Sequence, residues 1–175
     1  MTTKTALLKI KTHGFLKSLS HQQAQHGCRC LLNKLNFREL KKRIKKNEGF
    51  SLKPYKDQLG YLTIGYGHLI LPNEVRLLKT NKAQLNAIFN QDFERALRDY
   101  KRLIKQKNHN RKDQELLIEM VYQMGAKKVL KFKKLISNMK KNKRHLVCFE
   151  MMDSLWYTQT PNRVKNLIRA FLKNE

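Results

Sequence analysis

A chain of 175 residues with 41% apolar content can bury one good core, as a single domain or as two small lobes sharing a helix. Its 38 lysines and arginines against 13 acids give a formal charge of +25, which predicts salt-sensitive attraction to polyanions without naming one. No run approaches the ~20 consecutive apolar residues of a membrane-spanning helix, and lysines scattered through residues 1–20 exclude the unbroken apolar stretch of a signal peptide, so synthesis in a cytoplasm is expected.

Residues 1–37 hold no acidic side chain and mix Gly14, Gly27 and a Ser/His/Gln-rich middle with scattered lysines. They read as a basic extension with short helical patches at most, for instance around residues 6–15. His21, His26, Cys28 and Cys30 supply four ligand-type side chains within ten residues. Their spacing matches no standard zinc pattern, so a polar tail is the simpler reading, and no metal is expected. The three cysteines, Cys28, Cys30 and Cys148, form no disulfide framework and suit a reducing compartment.

After a boundary near Phe37, residues 38–47 are helix-prone and mostly charged, with Leu40 and Ile44 four apart on one face and Gly49 as a C-terminal stop. Tyr, Leu, Thr and Ile then cluster around turns at Asp57–Gly60 and at Gly65 and Gly67, which predicts an antiparallel hairpin or three-stranded sheet. Asn81 is placed to cap a long helix from Lys82 to about Lys105, with Leu85, Ile88, Phe89, Phe93, Ala96, Leu97 and Tyr100 at helical spacing as core. Past a polar break at 105–111, Asp113 is expected to open a second helix that turns Leu116, Leu117, Met120, Val121 and Met124 inward and ends at Gly125.

Shorter helices are predicted around 129–139 and 145–152, and Thr160 with Pro161 forms a cap and first-position pair for the last one. That helix sets Val164, Leu167, Ile168, Phe171 and Leu172 opposite Arg163, Lys165, Arg169 and Lys173. A membrane-surface helix has this pattern too, but packing on the preceding helices is the expected use.

With so few acids, their placement is informative: Glu39 and Glu48 are the only two before Asp57. Glu48 ends a helix whose C-terminus carries partial negative charge, a field that disfavours ionisation. A carboxyl kept protonated is what a general acid requires. Asp57 follows in the hairpin, and Thr63 lies on the return strand. Glycosidic bond cleavage uses such a set, one acid for the leaving oxygen and a second carboxylate for water. By spacing alone, the two acids read better as ordinary surface groups among lysines.

The run EGFSLKPYKDQLGYLTIGYGHL, Glu48–Leu69, resembles the active-site helix end and hairpin of the T-even phage lysozymes, the endolysins of glycoside hydrolase family 24. FNQD at 89–92, MVYQMG at 120–125 and WYTQTPNR at 156–163 agree in order, so the likeness covers about residues 38–173. It implies a mainly helical α+β fold of two lobes: a small sheet lobe at 38–80, a connecting helix at 81–105 and a helical lobe at 106–175. It also implies cofactor-free, inverting hydrolysis of the β-1,4 bond between N-acetylmuramic acid and N-acetylglucosamine. In that scheme Glu48 is the general acid, Asp57 the second carboxylate and Thr63 the positioner of water. His68 and Asp92 match a structural ion pair, and Arg163 matches an arginine near the acid, where pairing would oppose the helix-end effect. Leu69, Tyr122 and Gln123 match contacts to the glycan or its peptide.

The chain departs from the family pattern in its first 37 residues, in a short segment between Leu71 and Asn81, and in placing Leu135 and Glu150 where polar, uncharged contacts are usual. The likeness implies a monomer made in the host cytoplasm that lyses cells once a partner has opened the membrane. The competing reading is a non-enzymatic cationic binder of membranes or cell-wall polyanions, acting through the basic tail and the helix 163–173. No nucleic-acid motif accompanies the charge, so no specific nucleic-acid partner is expected.

Overall fold

Leu40 and Ile44 are both fully buried, so spacing by four places one apolar stripe on the helix α1 (Arg38–Glu48). The computed structural model describes residues 37–57, 60–104 and 109–173. The basic extension, its His21, His26, Cys28 and Cys30 set, and the expected helix end at Lys105 lie outside the described residues. Leu40–Glu175 forms one compact unit.

The lysines of α1 are used rather than merely solvated. Lys41 donates to Asn90 at 3.2 Å, pairs with Glu94 at 3.6 Å and sits 4.5 Å from the Phe93 ring centroid. Lys45 donates to Asn86 at 2.5 Å and lies over Tyr66 and Phe89 at 4.8 and 4.7 Å. Amphipathic stems thus lay α1 along the long helix α2 (Lys82–Leu103), with charged heads held on ring faces. Burial first, then the charges of Lys41 and Lys82, pulls the Lys45 pKa down.

Three strands follow α1 as an antiparallel meander in the order β1 (Ser51–Lys56), β2 (Leu62–Gly65) and β3 (His68–Leu69). The register slips between Ser51 and Tyr55, where Pro54 has no N–H for the ladder. Tyr55 pairs with Thr63, and Thr63 with Leu69, so these three share one face of the sheet. Ile64 pairs with His68 on the other. A 3-10 helix (Pro72–Leu78), absent from the sequence reading, leads to α2; Pro72 opens it and only Leu77 is buried.

Asn81 caps α2, accepting from the Gln84 amide at 2.9 Å while Gln84 Oε1 accepts from the Asn81 amide at 3.1 Å. Helix α3 (Arg111–Met124) begins earlier than expected. Asn110 is its cap, and Asp113 is the third helical residue, whose carboxylate accepts back from the Asn110 amide. The single helix foreseen at 129–139 is two, α4 (Ala126–Val129) and α5 (Lys133–Lys140); α6 (Arg144–Met152) follows, then the unforeseen α7 (Leu155–Gln159), capped by the Ser154 hydroxyl.

Pro161 does start the last helix, α8 (Pro161–Leu172), but Thr160 makes no cap bond and instead donates its hydroxyl to the Trp156 carbonyl at 3.1 Å. Val164, Leu167 and Phe171 of α8 join Leu116, Leu117, Met120, Val147, Met151 and Trp156 in one helical core, so the core-facing reading of α8 holds, with Leu172 left exposed. The architecture is α+β and mainly helical. Among the described residues no helix is long and apolar enough to cross a membrane.

Candidate active site

Glu48 is the last residue of α1, and Gly49, at φ +73°, turns the chain into β1 through a backbone region open mainly to glycine. One oxygen of the Glu48 carboxyl pairs with the Arg163 guanidinium of α8. The other faces the turn between β2 and β3 so closely that a Cβ on Gly67 would lie 3.3 Å from it. Burial pushes the Glu48 pKa up, the Arg163 charge and hydrogen bond pull it down, and the Glu119 charge pushes it up again. The net direction is up. Burial is the leading cause, ahead of any field from the helix end.

Asp57 follows β1 and organises its own turn. Its carboxylate accepts from the Tyr61 amide at 2.8 Å, its amide donates to the Tyr61 carbonyl at 2.9 Å, and its carbonyl accepts from the Gly60 amide at 3.0 Å. A short acidic side chain locked by its own turn is held in one orientation. Both carboxyls act on Tyr55, 41% exposed, whose hydroxyl pKa is raised by burial and then by the charges of Glu48 and Asp57. Thr63, across the ladder from Tyr55, is buried and donates to the Tyr61 carbonyl at 3.2 Å.

Leu69 continues that row and is exposed on a cavity of about 400 Å³, lined also by Gly67, His68, Glu74, Asp92, Arg95 and Tyr122. Tyr122 of α3 donates its hydroxyl to the Tyr66 carbonyl at 3.2 Å and packs on Phe89 with ring centroids 5.7 Å apart, and burial drives its pKa upward. The neighbouring Gln123 is turned to Trp156, whose indole N–H donates to Gln123 Oε1 at 3.0 Å.

His68 lies on the sheet face opposite Thr63 and Leu69. Its Nδ1 meets Asp92 at 2.8 Å, Asp92 also pairs with Arg95, and its Nε2 meets Glu74 of the 3-10 helix at 3.2 Å. The hydrogen bond to Asp92 raises the His68 pKa against the effect of burial, and Glu74 adds to the rise.

The structure therefore brings Glu48, Arg163 and Gly67 into contact, with Tyr55 and Tyr122 in reach of the Glu48 charge and Asp57 in reach of Tyr55, and it pairs His68 with Asp92. Sequence reasoning missed Glu74, Tyr55, and the Glu119 and Asn47 side chains that bond each other at 2.7 Å beside the acid. A lone acid inside the apolar run LLIEMV was the available signal for Glu119. Leu135, matched by sequence to a substrate contact, is wholly buried in the helical core, so it cannot face a glycan; Glu150 is half-buried on α6. No group of three or more metal-ligating side chains occurs among the described residues.

Residues 45–170 match the family model described as phage lysozyme. The chain belongs to the phage lysozyme family. It is similar to probable T4-type lysozyme 2 of Dictyostelium discoideum, 30% identical over 159 residues, which span 75% of this chain and 92% of that protein. Probable T4-type lysozyme 1 of the same organism is 30% identical over 156 residues, spanning 74% of this chain and 91% of the relative. The pre-baseplate central spike protein Gp5 of Enterobacteria phage T4 is 31% identical over 157 residues, which make up only 27% of that longer protein. As a phage lysozyme the chain is a glycoside hydrolase that acts on peptidoglycan, and the matched stretch contains both carboxyls, Thr63, Arg163 and the cavity between sheet and helices.

Proposed function

We propose that this phage lysozyme cuts the β-1,4 bond between N-acetylmuramic acid and N-acetylglucosamine with inversion, using Glu48 as general acid and Asp57 as general base. The observation that carries the reading is Glu48 itself, a buried carboxyl at a helix tip whose surroundings favour its protonated form and whose free side faces the sheet. Glu48 gives its proton to the glycosidic oxygen as that bond breaks. A water on the opposite face of the sugar bonds to the anomeric carbon and yields a proton to Asp57, and the two carboxyls then exchange the proton back through solvent.

Thr63, buried beside the Asp57 turn, orients the water, while Leu69 and Tyr122, which line the cavity, and Gln123 meet the glycan. His68 with Asp92, and Arg163 with Glu48, are the supporting ion pairs. Mass analysis of muropeptides released from purified sacculi tests the bond assignment. New reducing ends on muramic acid are expected, and reducing ends on glucosamine would overturn it. NMR of the first-formed anomer tests inversion: an α product is expected, and a β product refutes it.

On this reading residues 38–175 are the catalytic domain and 1–37 an extension. The protein works as a monomer made in the host cytoplasm, reaches the wall after the membrane is opened, and lyses the cell.

A second reading, binding to anionic envelope polymers without catalysis, draws on a different observation. Lys127, Lys128, Lys131, Lys133, Lys134, Lys140, Lys141 and Lys143 are exposed on and around α4–α6 in a stretch, 120–149, that contains no acid. The support for it lies there rather than in α8, whose apolar face is spent on the core. Killing that survives Glu48→Gln but disappears in high salt would favour this reading over the enzymatic one.

A further inference from the structure

Glu119 takes no part in the chemistry above, yet it is 1% exposed and sits on α3 among Leu116, Leu117, Ile118, Met120 and Val121. A carboxylate in such surroundings persists only if its oxygens are filled. Both are filled from α1: Arg43 Nε donates to one at 2.7 Å and Asn47 Nδ2 donates to the other at 2.7 Å. Arg43 also reaches Glu115 at 3.4 Å, and Glu115 accepts from Arg111 at 2.8 Å. Asn47 directly precedes Glu48, so this link holds the last turn of α1 against α3. The groups facing the Glu48 carboxyl are Arg163 from α8, Glu119 and the Tyr122 hydroxyl from α3, and Tyr55 from β1.

We propose that Glu119 is a positioning residue for Glu48: through Asn47 it anchors the helix tip that carries the acid, and as a fixed buried anion it opposes the charge Glu48 would gain on losing its proton. It thereby counterweights Arg163, which acts in the other direction on the same carboxyl. The role rests on the reading of Glu48 as general acid, although its electrostatic half does not require it.

The test is Glu119→Gln, which keeps an acceptor for Arg43 or Asn47 and removes the charge. The alkaline limb of the kcat/KM profile, which reports the acid in the free enzyme, is expected to move to lower pH by about half a unit. The ¹³C NMR titration of the Glu48 carboxyl should move with it, and Glu119→Asp should restore both. Asn47→Ala, which leaves every charge in place, is expected to lower kcat several-fold without moving the limb. Should Glu119→Gln not fold, the joint replacement of Arg43 by Met and Glu119 by Leu removes the buried pair together, an exchange folded proteins often tolerate, and the same direction of shift is expected. An unmoved Glu48 titration in the folded variant overturns the proposal. A Glu48→Gln enzyme that keeps its activity overturns instead the assignment of the acid, leaving the NMR result to judge Glu119 alone.

Discussion

At Gly67 the turn between β2 and β3 meets the Glu48 carboxyl, and one residue later His68 meets Asp92 and Glu74, so two ionic clusters sit on either side of one short turn. Burial acts against charge in both. At Glu48 it wins, because a single arginine contact is opposed by a second buried acid, and the group is held toward neutrality. At His68 it loses, because a short hydrogen bond to Asp92, supported by Glu74, favours the imidazolium. Partner count and geometry, rather than depth alone, decide which form a titratable group keeps. On the proposed mechanism the first arrangement serves proton transfer, whereas the second ties β3 to α2 and to the 3-10 helix.

The contrast breaks most directly at Glu48. Glu48→Gln is expected to lower lysis of permeabilised cells by about 10³-fold, within the range typical of a lost general acid, while circular dichroism shows the fold retained; undiminished lysis removes the catalytic half of the comparison. Asp57 belongs to neither cluster, and its amide isostere can still accept from Tyr61. Asp57→Asn should therefore lower turnover about 10²-fold with an unchanged unfolding midpoint; a shifted midpoint would mark it as a structural acid.

The His68 side is sharpened by pH. A histidine whose folded pKa lies above its ordinary 6.5 adds stability that is complete below that value and is lost as pH rises through the folded pKa. The Glu74 pKa is lowered, first by the Leu71 amide and then by His68, so its contribution is present above 4.5 and fades as pH falls through its folded value. Asp92→Asn should thus cost about 2 kcal/mol in urea unfolding near pH 5.5 and less near pH 8. An equal cost at both pH values would mean that the imidazolium is not what Asp92 holds.

Gly67→Ala probes both clusters from the shared turn, since its φ of +81° strains any side chain and the new methyl crowds Glu48. A loss of about 1 kcal/mol together with a several-fold drop in activity is expected; a loss of stability alone would free the acid from that turn. The smallest effect is foreseen for Glu74→Gln, about 0.5 kcal/mol by chemical denaturation, as befits a partly exposed partner.

Local signals carried well from sequence to structure. Leu40 with Ile44 and Leu85 with Phe89 and Phe93 repeat at helical spacing, and all five are buried. Asn81 and Gly125 punctuate helices because their side-chain and backbone chemistry acts within a few residues. What stayed hidden depends on partners far along the chain. Asp113 reads as a helix start until Asn110 is seen taking that role, and Leu135, a departure from a usually polar position, is explained only once the helical core closes over it. Glu119 is separated by more than seventy residues from the Arg43 and Asn47 that make its burial tolerable. Whether Arg163 or burial governs Glu48 is a balance of three long-range effects that motif order cannot weigh. The pairs Glu48–Arg163 and His68–Asp92 were legible in motif order, and the electrostatic balance at Glu48 was not.

The chain has one tryptophan. Trp156 is buried edge-on to Phe132 and bonded through its indole N–H to Gln123, the side chain proposed to touch the glycan. A saccharide hydroxyl that donates to Gln123 Oε1 shares that oxygen with the indole N–H, which alters the polarity around the single tryptophan. The protein thus carries its own optical reporter, and a titration with chitooligosaccharides can follow occupancy of the cleft by emission wavelength, with no label and no turnover.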